Sequence, residues 1–121
     1  MIYFLDTYAL IEIVKGNEKF KRFLDLELYT SLFNLYEFYF VLIRDYDEQI
    51  AKRFFFQFKD RILQIKDEHI FKASRFKKDN LKQRLSYVDC LGYMMALDYQ
   101  MKFLTGDKEF ENLENVEFVK I

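Results

Sequence analysis

The side chains in this sequence best placed to do chemistry are carboxylates. Asp6 and Asp107 each close a short apolar run, in Leu5-Asp6-Thr7 and Leu104-Thr105-Gly106-Asp107. Glu37 lies inside Asn34-Leu35-Tyr36-Glu37-Phe38-Tyr39-Phe40, where a solvated charge is unexpected, and Asp89 sits among Val88, Cys90 and Leu91. Burying a lone carboxylate is costly, so acids flanked by core-type residues call for a partner or a metal. Gathered together they would repel, by roughly 3 kcal/mol per ionised pair at about 5 Å and an effective dielectric near 20. A divalent cation removes that penalty. Oxygen-only ligands select Mg²⁺ or Mn²⁺ over zinc.

The rest of the inventory narrows the chemistry further. The 121 residues include one histidine, one cysteine, no tryptophan and no proline, against 20 acids and 19 bases. Paired-histidine nucleases, Cys/His zinc sites, Cys-Cys redox motifs and disulfide frameworks all need residues that are missing. Cys90 reads as a small buried hydrophobe and His69 as a surface or partly packed helix residue. The first residues, Met1 to Leu5, are apolar but stop at Asp6 without a basic region, and the longest apolar stretch, 35–43, contains Glu37. Neither a signal peptide nor a membrane span is expected, and the chain reads as cytoplasmic.

The elements that must position the acids alternate. Residues 2–5 read as a buried strand, followed by a helix opened by Asp6-Thr7 and ended near Gly16. A second short helix is suggested by Phe20, Phe23 and Leu24. A strand is expected over 27–30, then a helix capped by Ser31 and another capped by Asp47. Residues 61–65 read as a third strand, 67–78 and 86–100 as helices, 102–105 as a fourth strand and 116–119 as a fifth. With neither repeats nor linkers, residues 1–121 read as a single domain of the α/β class. Strands alternating with helices imply a parallel sheet with helices on both faces. Sites in such sheets form beyond the carboxyl ends of the strands, so Asp6 and Asp107 would meet at one sheet edge if their strands are neighbours.

On Phe4-Leu5-Asp6-Thr7, Glu37, Ser86-Tyr87-Val88-Asp89 and Thr105-Gly106-Asp107-Lys108-Glu109-Phe110, the chain resembles the PIN-domain family, in particular its small VapC-like toxin ribonucleases. The resemblance spans essentially the whole chain. It implies a three-layer αβα sandwich around a mostly parallel sheet of four to five strands. It also implies an endoribonuclease using one or two Mg²⁺ or Mn²⁺ ions, with Asp6, Glu37, Asp89 and Asp107 as the catalytic and metal-binding quartet. Asp6 and Asp89 would be the principal ligands, supported by Thr7 and Thr105, and cleavage would leave a 5′-phosphate and a 3′-hydroxyl. The family's habit further implies a homodimer and a small antitoxin covering the aromatic helices and the acidic site. Two departures stand out: Tyr8 after Asp-Thr, bulky enough to alter access or stack a base, and Gly92 with Met94 and Met95 in place of an Ile/Ala-rich helix.

Plainer readings exist for each part. Asp6 suits a helix cap, Ser86 to Asp89 a capping box, and Glu37 an ion pair with Arg44. Tyr87, Tyr93 and Tyr99 have a spacing that suits packing. Lys72, Arg75, Lys77, Lys78, Lys82 and Arg84 form a basic segment, read either as a solvated helix face or as a guide for RNA phosphates, with Lys77, Lys78, Lys82 and Arg84 the candidate contacts. The consecutive aromatics Phe38-Tyr39-Phe40 and Phe54-Phe55-Phe56 cannot all face one core, so those helices are either sandwiched or covered by another chain. Two other functions compete: a PIN-like module that binds RNA or protein without cutting, and a receiver-type phosphoacceptor. The latter fits poorly because Asp6 is followed by Thr7 rather than by a second acid.

Overall fold

The computed structural model describes residues 1–120. Its sheet has four strands, β1 (Ile2–Leu5), β2 (Glu27–Tyr29), β3 (Lys102–Thr105) and β4 (Val116–Phe118). They lie in the order β2-β1-β3-β4 and every pairing is parallel. Five α-helices complete the architecture: α1 (Thr7–Val14), α2 (Leu32–Asp45), α3 (Glu48–Lys59), α4 (Asp67–Asp79) and α5 (Tyr87–Asp98).

Side chains alternate across a strand, and two cores result. Tyr3, Leu5 and Leu104 face a layer built from α1, α2 and α3, where they meet Leu10, Leu35, Phe38 and Ala51. Phe4 and Phe103 point the other way, stacked at 5.8 Å between ring centroids, into the layer of α4 and α5 with Ala73, Tyr93 and Met95. The sheet is therefore the middle layer of an αβα sandwich. Among the described residues, no helix is long and apolar enough to cross a membrane.

Three sequence expectations change. Residues 61–65 do not form a strand: Thr30 donates to Arg61 O and accepts from Leu63 N, both at 2.9 Å, giving a single bridge between Thr30 and Ile62. Leu63 and Ile65 then pack against the α4–α5 core as the chain turns into α4. The second short helix is a 3₁₀ turn, Glu18–Phe23. His69 is not at the surface but fully buried. Its Nδ1 accepts the Lys66 amide at 2.9 Å and its Nε2, which therefore carries the proton, donates to Asp98 Oδ2 at 2.8 Å. A packed role holds for Tyr93 and Tyr99, whereas Tyr87 is 80% exposed. Cys90 is buried, as expected.

Gly92 fixes the distance between α5 and the sheet. A Cβ there would stand 2.9 Å from Phe4 Cε1 and 3.4 Å from Asn34 Oδ1, so only a hydrogen fits where α5, β1 and α2 meet.

Candidate active site

Because β1 and β3 are neighbours, Leu5 lies opposite Leu104, and Asp6 emerges beside Thr105. Asp6 caps α1, accepting the Ala9 amide at 2.8 Å, and its other oxygen accepts the Thr105 hydroxyl. Thr105 Oγ1 in turn accepts the Asp107 amide at 3.0 Å, so one hydroxyl joins the two strand-end acids. Asp107 caps a 3₁₀ turn, Lys108–Phe110, through the Glu109 amide at 3.0 Å. Ser86 and Asp89 form a reciprocal capping box at the start of α5, with distances of 2.9 and 3.0 Å.

Glu37 reaches the same edge from α2. It does not pair with Arg44, which is bound to Asp45. Its Oε1 accepts the Thr7 hydroxyl at 2.6 Å, and Thr7 accepts from Asn34 Nδ2 at 3.2 Å. Asn34 is held by Ser31, whose hydroxyl donates to Asn34 Oδ1 at 2.6 Å. Asn34 was not identifiable as a site residue in the sequence. The usable signal is its spacing: one turn before Glu37 and three residues after the cap, on the face that Gly92 also meets.

The capping readings hold at Asp6 and in the Ser86–Asp89 box, Asp107 caps a turn as well, and the three acids share an edge. Capping occupies one oxygen each of Asp89 and Asp107, and among the described residues their second oxygens receive no protein donor. Burial raises the Asp6 carboxyl from 3.8 to about 7, with Asp89 and Asp107 adding to the rise against the Thr105 and Ala9 hydrogen bonds. Burial also raises Asp89, reinforced by Asp107 and Glu37. No lysine or arginine forms an ion pair with any quartet acid among the described residues.

This donor set suits a hard divalent ion: the ligating atoms are all oxygen, and the buried Asp6 feels only like charges from its acidic neighbours. No three His, Cys, Asp or Glu side chains among the described residues converge closely enough to cage an ion directly. Mg²⁺ does not require a cage, since it usually keeps several waters and takes one or two carboxylates.

The basic segment is divided by the structure. Lys77 Nζ donates to Leu85 O at 2.6 Å and lies 4.7 Å from the Tyr87 ring centroid, whereas Lys78, Lys82 and Arg84 are exposed. The Arg84 amide donates to Glu109 Oε2 at 3.4 Å, which brings that end of the segment beside the Asp107 turn.

Four parallel strands between two helical layers, with acids at the carboxyl edge of β1 and β3, define an α/β protein of the PIN type. A model of the PIN domain family matches residues 3–116, and the chain belongs to that family. Solved structures agree in fold. A sarcin-ricin loop cleaving toxin, VapC20 of Mycobacterium tuberculosis, superposes with a TM-score of 0.81 at 15% identity, covering 98% of each chain. A toxin-antitoxin complex from Klebsiella pneumoniae gives 0.78 at 18% identity, covering 98% of this chain and 99% of that one. VapBC2 of Rickettsia felis, bound to a promoter DNA fragment, gives 0.76 at 17%, covering 100% and 99%. No curated protein matches the sequence. Family membership displaces the receiver-type reading.

Proposed function

We propose that the protein is a divalent-metal-dependent endoribonuclease and the toxin of a type II toxin-antitoxin pair, acting in the cytoplasm as one domain. The observation that carries this reading is the buried Asp6 at the end of β1, joined through the Thr105 hydroxyl to the Asp107 backbone and ion-paired with no cation among the described residues. Asp6 and Asp89 would be the principal metal ligands, with Glu37 and Asp107 completing the site. Bound there, one or two Mg²⁺ or Mn²⁺ ions would supply charge compensation for the phosphate and acidification of the attacking water.

The chain's own groups do the positioning. Thr105 fixes the Asp6 carboxylate relative to the Asp107 backbone, and Thr7, anchored by Asn34, fixes Glu37. Hydrolysis forms a bond from the water oxygen to phosphorus, breaks the bond to the 3′ oxygen, and delivers a proton to that oxygen. The products are a 5′-phosphate and a 3′-hydroxyl.

The expected partners follow from exposed apolar surface. Phe38 is buried and Tyr39 packs on Phe55, so α2 and α3 sandwich part of the aromatic set. Tyr36, Phe40 and Phe56 remain exposed beside Glu37 and along α3, a surface suited to cover by an antitoxin segment. A second copy of the chain is the further expected partner. The deciding experiment is cleavage of single-stranded RNA with Mn²⁺ or Mg²⁺, comparing wild type with the Asp6→Asn, Glu37→Gln, Asp89→Asn and Asp107→Asn variants. Metal-dependent cleavage lost in each folded variant supports the reading; full activity in Asp6→Asn refutes it.

A further inference from the structure

Two clefts at the sheet edge each contain one quartet acid, and their other walls differ. The cleft at Glu37 is lined by Thr7, Tyr36, Phe40 and Val41 and offers no cation. The cleft at Asp107, with a volume of about 280 Å³, is lined by Tyr8, Gly106, Lys108, Phe118 and Lys120. Neither Lys108 nor Lys120 forms a salt bridge among the described residues. Tyr8, in the first turn of α1, is 42% exposed, next in sequence to Thr7 and two residues from Asp6.

An exposed aromatic ring combined with two exposed ammonium groups is the combination that single-stranded nucleic acid recognises, the ring stacking a base and the cations neutralising backbone phosphates. A paired base already has both faces stacked, so such a ring selects an unpaired one. We infer that the Tyr8–Lys108–Lys120 cleft is a nucleotide subsite for an unpaired residue of the RNA next to the phosphate that is cut. Tyr8 stacks the base and the two lysines hold the flanking phosphates. Lys77, another candidate phosphate contact, lies outside this cleft and has one ammonium donor engaged by Leu85 O. The inference rests on the ribonuclease reading and adds where, and in what form, the substrate enters.

The test uses the full chain with Tyr8→Ala, Tyr8→Phe and the double variant Lys108→Ala/Lys120→Ala. The probe is a fluorescein-labelled single-stranded 12-nucleotide RNA, with a blunt-ended 12-base-pair RNA duplex as control. Binding is read by anisotropy in EDTA, and KM and kcat are read in Mn²⁺. Tyr8→Ala should weaken single-strand binding and raise KM by roughly 5- to 150-fold, the usual worth of one stacked base, with Tyr8→Phe within about twofold of wild type. Duplex binding should not respond to Tyr8→Ala. The double lysine variant should flatten the log–log salt dependence of single-strand binding by about 1.4. All variants should keep the Mn²⁺-induced rise in melting temperature, which reads the carboxylates alone. Unchanged binding and KM in Tyr8→Ala, with wild type still cleaving, overturns the subsite and leaves the nuclease reading intact. A wild type that binds Mn²⁺ but cleaves no RNA overturns the nuclease reading itself, and equal loss in Tyr8→Phe and Tyr8→Ala assigns the effect to the phenolic hydroxyl and overturns base stacking.

Discussion

Two of the buried titratable side chains, His69 and Asp6, are treated in opposite ways. At the corner where α4 meets α5, His69 has both ring nitrogens engaged, and its partner Asp98 is also bound by Lys72 Nζ at 3.3 Å. At the carboxyl edge of β1 and β3, Asp6 is equally buried, yet the charges around it are Asp89 and Asp107. The first arrangement is closed: acceptor, donor and charge are matched within the protein, and the result is a staple between two helices. The second is open, held by hydrogen bonds in a geometry that its own charges oppose. That open arrangement is what the proposed cation site requires.

Asp6→Asn separates the two arrangements most widely. It should lower RNA cleavage more than about 100-fold, beyond the 10- to 100-fold typical of residues that only support a ligand, and remove most of the Mn²⁺-induced rise in melting temperature that linkage gives the wild type. The same variant, free of metal at pH 8, should melt no lower than wild type, because it removes a buried charge. His69→Ala should do the reverse. It leaves a cavity and orphans the Lys66 amide, which costs about 2–4 kcal/mol of stability, read by denaturant unfolding, while kcat at a temperature where the variant is folded stays near wild type. Gly92→Ala lies between them. The added methyl meets Phe4 at 2.9 Å and should destabilise by about 1–3 kcal/mol, with a loss of kcat larger than that of His69→Ala because Asp89 is one turn away on the same helix.

The smallest effect is on pH dependence, and its sign differs between the two regions. Asp6 is raised from 3.8 to about 7 by burial, so in the metal-free protein its contribution is fully present below 3.8 and lost as pH rises through 7. Asp98 is lowered, first by the His69 hydrogen bond and then by that from Lys72; its contribution is present above 3.8 and lost as pH falls through its depressed value. Melting temperature against pH should therefore decline on both sides. Asp6→Asn should flatten the alkaline side alone and Asp98→Asn the acidic side alone. A wild type whose metal-free melting temperature climbs from pH 6 to pH 8 would contradict the account of Asp6.

What the sequence disclosed about these regions depends on how locally each interaction is made. The caps at Asp6 and Ser86 are satisfied within three residues, so chain order was enough to find them, and the apolar runs before Asp6 and Asp107 placed both acids at strand ends. The neighbouring of β1 and β3 followed only as a condition, since pairing across about a hundred residues is decided by the whole sheet. His69 was misplaced because its partner Asp98 lies 29 residues away, a distance over which no spacing rule operates. Asn34 stayed hidden for a similar reason: its neighbour in the sequence is Leu35, while its role is set by Thr7, 27 positions earlier. The run at 61–65 has the composition of a strand, but only Thr30 extends far enough beyond β2 to pair with it. The aromatic triplets announced two-sided helices without telling which ring each side would hold.

Gly92 links the interior to the chemistry in a way that bears on how such a protein can change. The position is buried and carries no side chain, yet it gauges how near α5 rests to β1, and through that the separation of Asp89 from Asp6. On the proposed nuclease function, reaction rate at the surface is thereby exposed to drift in the core. A lineage that substituted this glycine would keep all four acids and still lose speed, unless Phe4 shrank in the same step.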